Sequence, residues 1–217
     1  MIHFIEVSKY YGNRILFDQA NCHIPMSSFN CLIAANSTGK TTFFNLVFNQ
    51  ELPDGGQILF LQHTLGQLKK NKLAEHRRHI GIIRQEPLFL RKETVETNIM
   101  LPLAIAGKAK HDAALKVNEI AETLNLLHCL KSPIGNLSPG KKQLVSIARA
   151  LVHEPILILA DEPIQHLQQD LAKIAMELLY QAYKKGTTVV LASQRNEILS
   201  YSEANVFVIE QYQILRV

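Results

Sequence analysis

The sequence contains no long run of apolar residues. No stretch approaches the ~20 consecutive apolar residues that a helix needs to cross a bilayer. The chain begins MIHFIEVSKYYGNR, in which polar and apolar residues alternate, whereas a secretory signal has a basic tip followed by an apolar block. These two absences predict a cytosolic location.

Cysteine is scarce, with three residues among 217. Cys22, Cys31 and Cys129 lie far apart and form no CxxC pair, which argues against a disulfide framework and against a cysteine metal site. We expect all three to be buried, unreactive thiols.

Neither sign of charge dominates, and the formal net charge is +4. Such a charge is compatible with an acidic ligand or an anionic membrane surface but requires neither. The main basic segment, LKKNKLAEHRRH from Leu68 to His79, lacks the interleaved aromatic residues of many nucleic-acid-binding surfaces. The pattern favours a solvated helix face over the docking of a partner, and we expect no nucleic-acid binding.

The sequence does contain an alternation of short β-like runs and helical patterns. With 47% hydrophobic and 19% charged residues, the chain has the composition of one globular domain. Several runs are apolar throughout, as expected for strands buried on both faces of a parallel sheet between helices. The clearest predicted strands are FNCLIAA (29–35), HIGIIRQ (79–85), ILILAD (156–161), TTVVLAS (187–193) and NVFVIE (205–210). The predicted fold class is α/β with a largely parallel core sheet.

Two regions depart from this alternation. The segments IHFIEVS, ILFDQANCHI and QILFLQ alternate polar and apolar residues, which predicts a small antiparallel β piece. Between Pro87 and about Val152 the strand signal disappears and apolar residues recur at helical spacing. We therefore predict one domain over residues 1–217, with a helical subdomain at about 87–152 inserted in the core.

The stretch AANSTGKTTFF (34–44) has the form of a phosphate-binding loop. It follows the predicted strand FNCLIA, and a helix is predicted to begin near Thr41. In such loops, backbone N–H groups surround the phosphates and the positive end of the helix points at them. A lysine, here Lys40, reaches the β and γ phosphates, and the next hydroxyl, Thr41, holds Mg²⁺. Gly-Lys-Ser/Thr also occurs by chance, so this motif alone leaves an ordinary strand-to-helix turn open.

An acidic pair downstream strengthens the prediction. The run ILILADEP places Asp161 at the carboxyl end of a buried strand and Glu162 directly after it. Ligands of parallel sheets bind at that edge, where a carboxylate can support Mg²⁺. Glu162 can polarise an attacking water as a general base. Together the two motifs predict a P-loop NTPase fold with a nucleotide site.

Between these motifs lies IGNLSPGKKQLVSIARALVHEP (134–155), and here the chain resembles the ATP-binding subunits of ABC transporters and related machines. In that family, a signature close to Leu-Ser-Gly-Gly-Gln precedes the Asp-Glu strand. The resemblance covers nearly the whole chain. Within the family, MIHFIEVSKYYG, RRHIGIIRQ, ETVETNIMLPLAIAG and LILADEP most resemble the ATP-binding subunits of cell division, and the lipoprotein-release and macrolide-export ATPases are also similar.

The resemblance implies ATP as ligand, Mg²⁺ as cofactor and a role for individual residues. Tyr11 matches the aromatic residue that stacks on adenine, and Gln85 matches the glutamine that joins the helical insert to the core and approaches Mg²⁺. The implied nucleotide-binding residues are Tyr11, Asn36, Ser37, Thr38, Gly39, Lys40, Thr41, Thr42, Ser138 and Gly140; the implied metal-binding residues are Thr41, Gln85 and Asp161; and the implied catalytic residues are Glu162, Gln85 and Gln194.

The resemblance also implies partners. Two such domains meet head to tail, as a homodimer or a heterodimer, with ATP between the phosphate loop of one and the signature of the other. Closure on ATP and opening after hydrolysis move an integral-membrane, permease-like subunit, which implies a peripheral location on the cytoplasmic face of the inner membrane. Gln85 and the segment ETVETNIMLPLAIAG are the expected contact region for that subunit.

Four departures from the family pattern bear on activity. In the phosphate loop, Ala34 and Ser37 replace glycines, which approach phosphate without a Cβ. In the signature, Pro139 replaces a glycine, although proline is favoured at the first position of a helix. Gln168 replaces an aspartate that couples the two sites, and Gln194 replaces a histidine that holds the γ phosphate.

The last departure lowers the expected rate most. A glutamine donates a hydrogen bond but carries no charge at neutral pH, and loss of such a transition-state contact commonly costs a factor of ~10² to 10³. His166 is the one candidate substitute close to Glu162 in sequence. We therefore predict an ATP-binding subunit with slow hydrolysis. A catalytically inactive pseudoenzyme with a structural role, and an ATPase subunit of a lipoprotein or macrolide exporter, stay open as alternatives.

Overall fold

In a computed structural model, residues 1–35, 38–193 and 203–217 are described, and they form two β-sheets and six α-helices. The strands are β1 (Ile2–Tyr11), β2 (Arg14–Ile24), β3 (Phe29–Ile33), β4 (Gly55–Phe60), β5 (His63–Thr64), β6 (Ile80–Ile83), β7 (Leu157–Asp161), β8 (Thr188–Ala192), β9 (Asn205–Glu210) and β10 (Gln213–Arg216). The helices are α1 (Lys40–Val47), α2 (Lys70–Arg78), α3 (Val95–Ile105), α4 (Lys110–Thr123), α5 (Pro139–Leu151) and α6 (Gln169–Lys184).

The larger sheet has six strands in the order β10-β9-β3-β8-β7-β6. Strands β9, β3, β8, β7 and β6 pair in parallel, and β10 returns antiparallel along β9. The five parallel strands are the five predicted from apolar runs, so the predicted parallel core is confirmed. Strand β10 was not predicted, because a four-residue edge strand with one buried side chain carries little hydrophobic pattern.

Each face of this sheet covers a separate hydrophobic core. In β7, Ile158 and Ala160 face a core that α3, α4, α5 and α6 complete. Leu157 and Leu159 face the opposite way, into a core shared with α1 and the smaller sheet. Because neighbouring side chains of a strand point to opposite faces, a strand that is apolar throughout is what this sandwich requires.

The smaller sheet is the predicted antiparallel piece, in the order β2-β1-β4-β5. Between β6 and β7, the described chain holds α3, α4 and α5 and no named strand, as the periodicity predicted. Among the described residues, no helix combines the length and apolarity needed to cross a membrane.

The basic segment from Leu68 to His79 is helical, but only part of it is solvated. Lys70 and Lys72 of α2 are exposed. His76 is buried with its Nε2 3.1 Å from the carbonyl of Val47, and Arg77 donates to the carbonyls of Phe48 and Asn49. The end of this segment therefore binds the carbonyls at the carboxyl end of α1, which are left free by the helix itself.

No disulfide joins the three cysteines, all of which belong to the described residues. Cys31 and Cys129 are buried, and Cys22 is half-buried. Burial raises the pKa of Cys22 and of Cys31 to about 12 and also raises the pKa of Cys129. The thiolate is the reactive form, so these shifts agree with the predicted unreactive thiols.

Candidate nucleotide site

The phosphate-loop sequence lies between β3 and α1, at the carboxyl edge of the parallel sheet. Gly39 precedes the helix with φ of 117°, a conformation that L side chains rarely adopt, and a Cβ there would lie 3.1 Å from the Phe17 ring. Helix α1 begins at Lys40, as predicted to within one residue. Its apolar side chains anchor it under the sheet; the buried ones are Phe43, Phe44, Leu46 and Val47.

Lys40 is held inside the site. Its ammonium donates to the carbonyl of Ala34 at 3.0 Å and lies 3.4 Å from Oε1 of Glu162. Lys40 and Glu162 are both buried, at 8% and 6% exposure. A buried cation is costly unless it is paired, so the carboxylate is its natural partner as long as no phosphate is near.

Asp161 and Thr41 meet across the sheet edge. The Thr41 hydroxyl donates to Oδ2 of Asp161 at 2.7 Å, although 120 residues separate the two in sequence. Burial raises the pKa of Asp161, Thr41 and Lys40 oppose that shift, and the neighbouring Glu162 adds to it. A carboxylate that burial destabilises gains most from a bound cation, and hard divalent cations prefer such oxygen ligands. The two oxygens therefore fit Mg²⁺.

Glu162 occupies a strained position. Its φ is 48°, in the left-handed region that is unfavourable for a residue other than glycine, asparagine or aspartate. Its N–H donates to the carbonyl of Ala192 at the end of β8, 2.9 Å away. Strain of this kind persists where the surroundings impose it. Here it brings the carboxylate beside Lys40.

These groups line one cavity of about 470 Å³. Among the predicted residues, those that line it are Tyr11, Gly39, Lys40, Thr41, Thr42, Gln85, Asp161 and Glu162. The Tyr11 hydroxyl donates to a Glu51 carboxylate oxygen, and the ammonium of Lys9 lies 5.4 Å from the Tyr11 ring centroid. Burial and the Glu51 contact raise the pKa of Tyr11.

Gln85 lines this cavity, but its side chain is hydrogen-bonded to Gln165 instead of Asp161. Its Nε2 donates to Oε1 of Gln165 at 3.0 Å, in the loop that follows Glu162. The neighbouring Arg84 donates to Asn45 and to Gln50. Burial lowers the pKa of Arg84, and the charge of Asp161 opposes that shift.

The signature stretch opens helix α5. Ser138 is its N-cap and accepts from the N–H of Lys141 at 3.4 Å, and Pro139 takes the first helical position, as predicted. A Cβ on Gly140 would come within 3.0 Å of the carbonyl of His166. The helix therefore packs closely on the loop after Glu162, and glycine makes that approach possible.

Not every predicted residue reaches the cavity. Ser138 and Gly140 lie outside its wall, and Thr38 lines a neighbouring cavity instead. His166 is exposed and does not line the cavity either. It therefore lacks the contact with the site that a substitute for the histidine of the family pattern would need. Asn36, Ser37 and Gln194 lie outside the described residues.

The sequence did not point to three further residues of this wall, Arg14, Leu16 and Asn45. Arg14 and Leu16 follow the turn between β1 and β2, and Asn45 lies one turn along α1 from Thr41. The helical spacing of four from Thr41 was an available signal for Asn45. No local signal existed for the other two, because the folding of the smaller sheet brings them to the site.

Comparison with known proteins agrees with the geometry. The family model described as ABC transporter matches residues 17–165. The cell division ATP-binding protein FtsE of Bacillus subtilis (strain 168) is 32% identical over 217 residues, covering 100% of this chain and 95% of that protein. FtsE of Escherichia coli (strain K12) is 33% identical over 201 residues, covering 92% of this chain and 90% of its own.

Solved structures share the fold along the entire chain. A dimeric bacterial ABC transporter cassette has a TM-score of 0.92 and 25% identity, covering 100% of this chain and 97% of its own. A dimeric post-hydrolysis cassette bound to ADP and Pi has a TM-score of 0.91 and 24% identity, with the same coverage. These likenesses confirm the predicted P-loop fold. The chain belongs to the ABC transporter family of ATP-binding domains and is similar to FtsE.

Proposed function

We propose that this chain is the ATP-binding subunit of an FtsE-like ABC complex, which dimerises on ATP and drives or regulates a membrane partner in cell division. One observation carries the proposal: Lys40, Thr41, Asp161 and Glu162 converge on one cavity at the carboxyl edge of the sheet. The relatives named FtsE support the cell-division role.

Each of the four residues has a separate role. Lys40 binds the β and γ phosphates, and the oxygens of Thr41 and Asp161 hold the metal. Mg²⁺, when bound, neutralises charge on the phosphates. Glu162 accepts a proton from the attacking water as general base.

Nucleotide binding then rearranges one ion pair. The ammonium of Lys40 lies 3.4 Å from Oε1 of Glu162. A phosphate that attracts the ammonium draws it away and leaves the carboxylate ready to accept a proton. Activation of the base is thereby coupled to the arrival of the γ phosphate.

Hydrolysis is slow in this proposal. Gln194 replaces a charged family histidine, which lowers the expected rate by a factor of ~10² to 10³. The two cassettes meet head to tail, so that Ser138 and Gly140 of one complete the site of the other. The dimeric structure of a solved ABC transporter cassette supports the formation of a dimer.

The test is ATP turnover of the purified chain, alone and with its membrane partner, which is FtsX-like if the FtsE resemblance extends to the complex. We expect slow, Mg²⁺-dependent phosphate release that Glu162→Gln abolishes while ATP binding persists. The exposed pair Lys72 and Glu75 offers a matched control, since Glu75→Gln removes the same charge outside the site. Turnover that survives Glu162→Gln, or no turnover with the partner present, contradicts the enzymatic role.

A second candidate function is a pseudoenzyme that serves as a structural subunit. The simultaneous replacements at Ser37, Pro139, Gln168 and Gln194 favour it, because they depart from the family pattern at the phosphate loop, the signature and the groups used in coupling and hydrolysis. Lys40→Ala separates the alternatives: it strongly weakens ATP binding in the proposed subunit, whereas a scaffold that does not use ATP shows no difference. Lys72→Ala is the control, because that lysine is exposed and pairs only with Glu75 among the described ion pairs.

A further inference from the structure

A second cavity, of about 750 Å³, adjoins the nucleotide site. Its wall joins the turn between β1 and β2, Thr38 of the phosphate loop and the hairpin of β9 and β10. Tyr11, Arg14 and Leu16 line both cavities. A ligand with phosphates beside Lys40 that extends past Tyr11 therefore enters this second space, which is of the size that small-molecule ligands occupy.

Tyr11 alone offers the base a limited surface. Its hydroxyl is bonded to Glu51, and Lys9 lies over its ring. The lysine is itself fixed by the carbonyl of Leu52 at 2.9 Å and by Asp54 at 3.7 Å. One face of the Tyr11 ring is thus taken by a cation, and a base can use only the other face.

Tyr212 brings another aromatic ring to the same cavity, from a strained turn. Gln211 and Tyr212 form the two-residue loop between paired Glu210 and Gln213, with φ of 47° and 64°. Such loops strongly prefer Asn-Gly, and a bulky residue at positive φ costs free energy. Tyr212 is half-exposed and lines the cavity. The side chain of Tyr212 thus faces a ligand-sized space whose wall also includes Tyr11, the predicted partner of the base.

We propose that Tyr212 is a positioning residue for the nucleotide base, adding a second aromatic surface to the one that Tyr11 supplies. This inference rests on the proposed binding of ATP. Stacking against an aromatic ring is favourable for any base, so Tyr212 strengthens the binding of nucleotides and contributes nothing to the binding of phosphate chains that lack a base.

The experiment measures binding of ATP and of inorganic tripolyphosphate to the full chain by titration calorimetry. In Tyr212→Asn, ATP affinity falls about tenfold, the loss typical of one base–aromatic stack, and tripolyphosphate affinity is unchanged. Asparagine suits positive φ, so the thermal unfolding midpoint of this variant stays equal or rises. Tyr212→Phe keeps the ring and retains the wild-type ATP affinity.

Leu215→Ala is the matched control, because Leu215 is an exposed residue of β10 outside the cavity wall. Equal ATP affinities for wild type and Tyr212→Asn overturn the inference. An equal loss of affinity for ATP and for tripolyphosphate also overturns the inference, because it indicates damage to the phosphate site. If the wild-type chain binds tripolyphosphate and ATP equally well, the base has no site; if it binds neither, the proposed function itself is wrong.

Discussion

At the residue scale, the candidate site contains three buried charged side chains, those of Lys40, Asp161 and Glu162. Asp161 and Glu162 are adjacent, buried carboxylates, and Lys40 is the one ion-pair partner of Glu162 among the described residues. Such an arrangement destabilises the ligand-free fold and favours a bound cation. Function and stability therefore oppose each other at these residues.

At Asp161, the opposition between function and stability can be measured as a dependence of the free energy of unfolding on pH. Burial raises the pKa of Asp161 above its ordinary 3.8, so the folded state holds the proton more tightly than the unfolded state. The contribution of Asp161 to the free energy of unfolding therefore falls as the pH rises through 3.8 towards the raised pKa, and it stays low above that value. In the Asp161→Asn variant the side chain cannot ionise, so the stability of the variant relative to the wild type increases over the same pH range.

The measurement is urea unfolding without nucleotide or Mg²⁺, near pH 3.8 and at neutral pH. Asparagine keeps a carbonyl oxygen that accepts from Thr41. Asp112→Asn is the control, because Asp112 is exposed and reports the general effect of losing one negative charge. A stability difference for Asp161→Asn that shrinks towards neutral pH refutes the account.

At the element scale, the sequence predicted where structure begins better than where it ends. The five predicted parallel strands lie within one or two residues of the observed ones, α1 begins one residue before the predicted Thr41, and α5 begins at Pro139, a residue type that is favoured at the first helical position. The short edge strands β5 and β10 were missed, since few of their side chains are buried. The hydrophobic pattern of a sequence reflects which side chains are buried, and edge strands bury few side chains.

The signature stretch lies at the start of helix α5, and Ser138 is the N-cap of that helix. As N-cap it satisfies a free N–H, so Ser138→Ala lowers the free energy of unfolding by about 1 kcal/mol. Ser138→Asp is also a good cap, and its charge suits the start of a helix, so it keeps the stability.

The two variants separate capping from nucleotide contact. A carboxylate at Ser138 repels a γ phosphate, so we expect Ser138→Asp to fold normally and to lose ATP-dependent dimerisation, measured by sedimentation. Ser132→Ala is the control, a serine of the same region outside the helix cap. Dimerisation of Ser138→Asp on ATP at the wild-type concentration means that Ser138 serves the helix alone.

At the scale of the whole molecule, an exposed apolar side chain follows Gln85 closely in the sequence. This residue, Leu88, is 72% exposed. Arg149 of α5 donates to the carbonyl of Leu88 at 2.7 Å and lies over the Phe89 ring, which fixes this stretch to the helices. Leu88 therefore presents a large apolar side chain from a fixed segment, at the start of the region predicted to contact the membrane partner.

We expect Leu88→Glu to weaken association with the membrane partner without changing ATP affinity, because it places a charge in an apolar contact. Co-purification of the two subunits from detergent is the measurement. Leu215→Glu is the control, since Leu215 is also exposed but lies on β10, away from α3. Normal recovery of the complex with Leu88→Glu places the contact elsewhere.

The sequence by itself determined the five parallel strands and the order of the motifs, and it predicted that Lys40, Thr41, Asp161 and Glu162 belong to one site. These follow from periodicity and from chemistry carried by neighbouring residues. Only the tertiary structure decided that Gln85 bonds to Gln165, that Gly140 packs on His166 and that the hairpin with Tyr212 adjoins Tyr11. The reason is physical: these contacts depend on strand order and on the relative placement of two sheets, which many distant side chains fix together and no local pattern records.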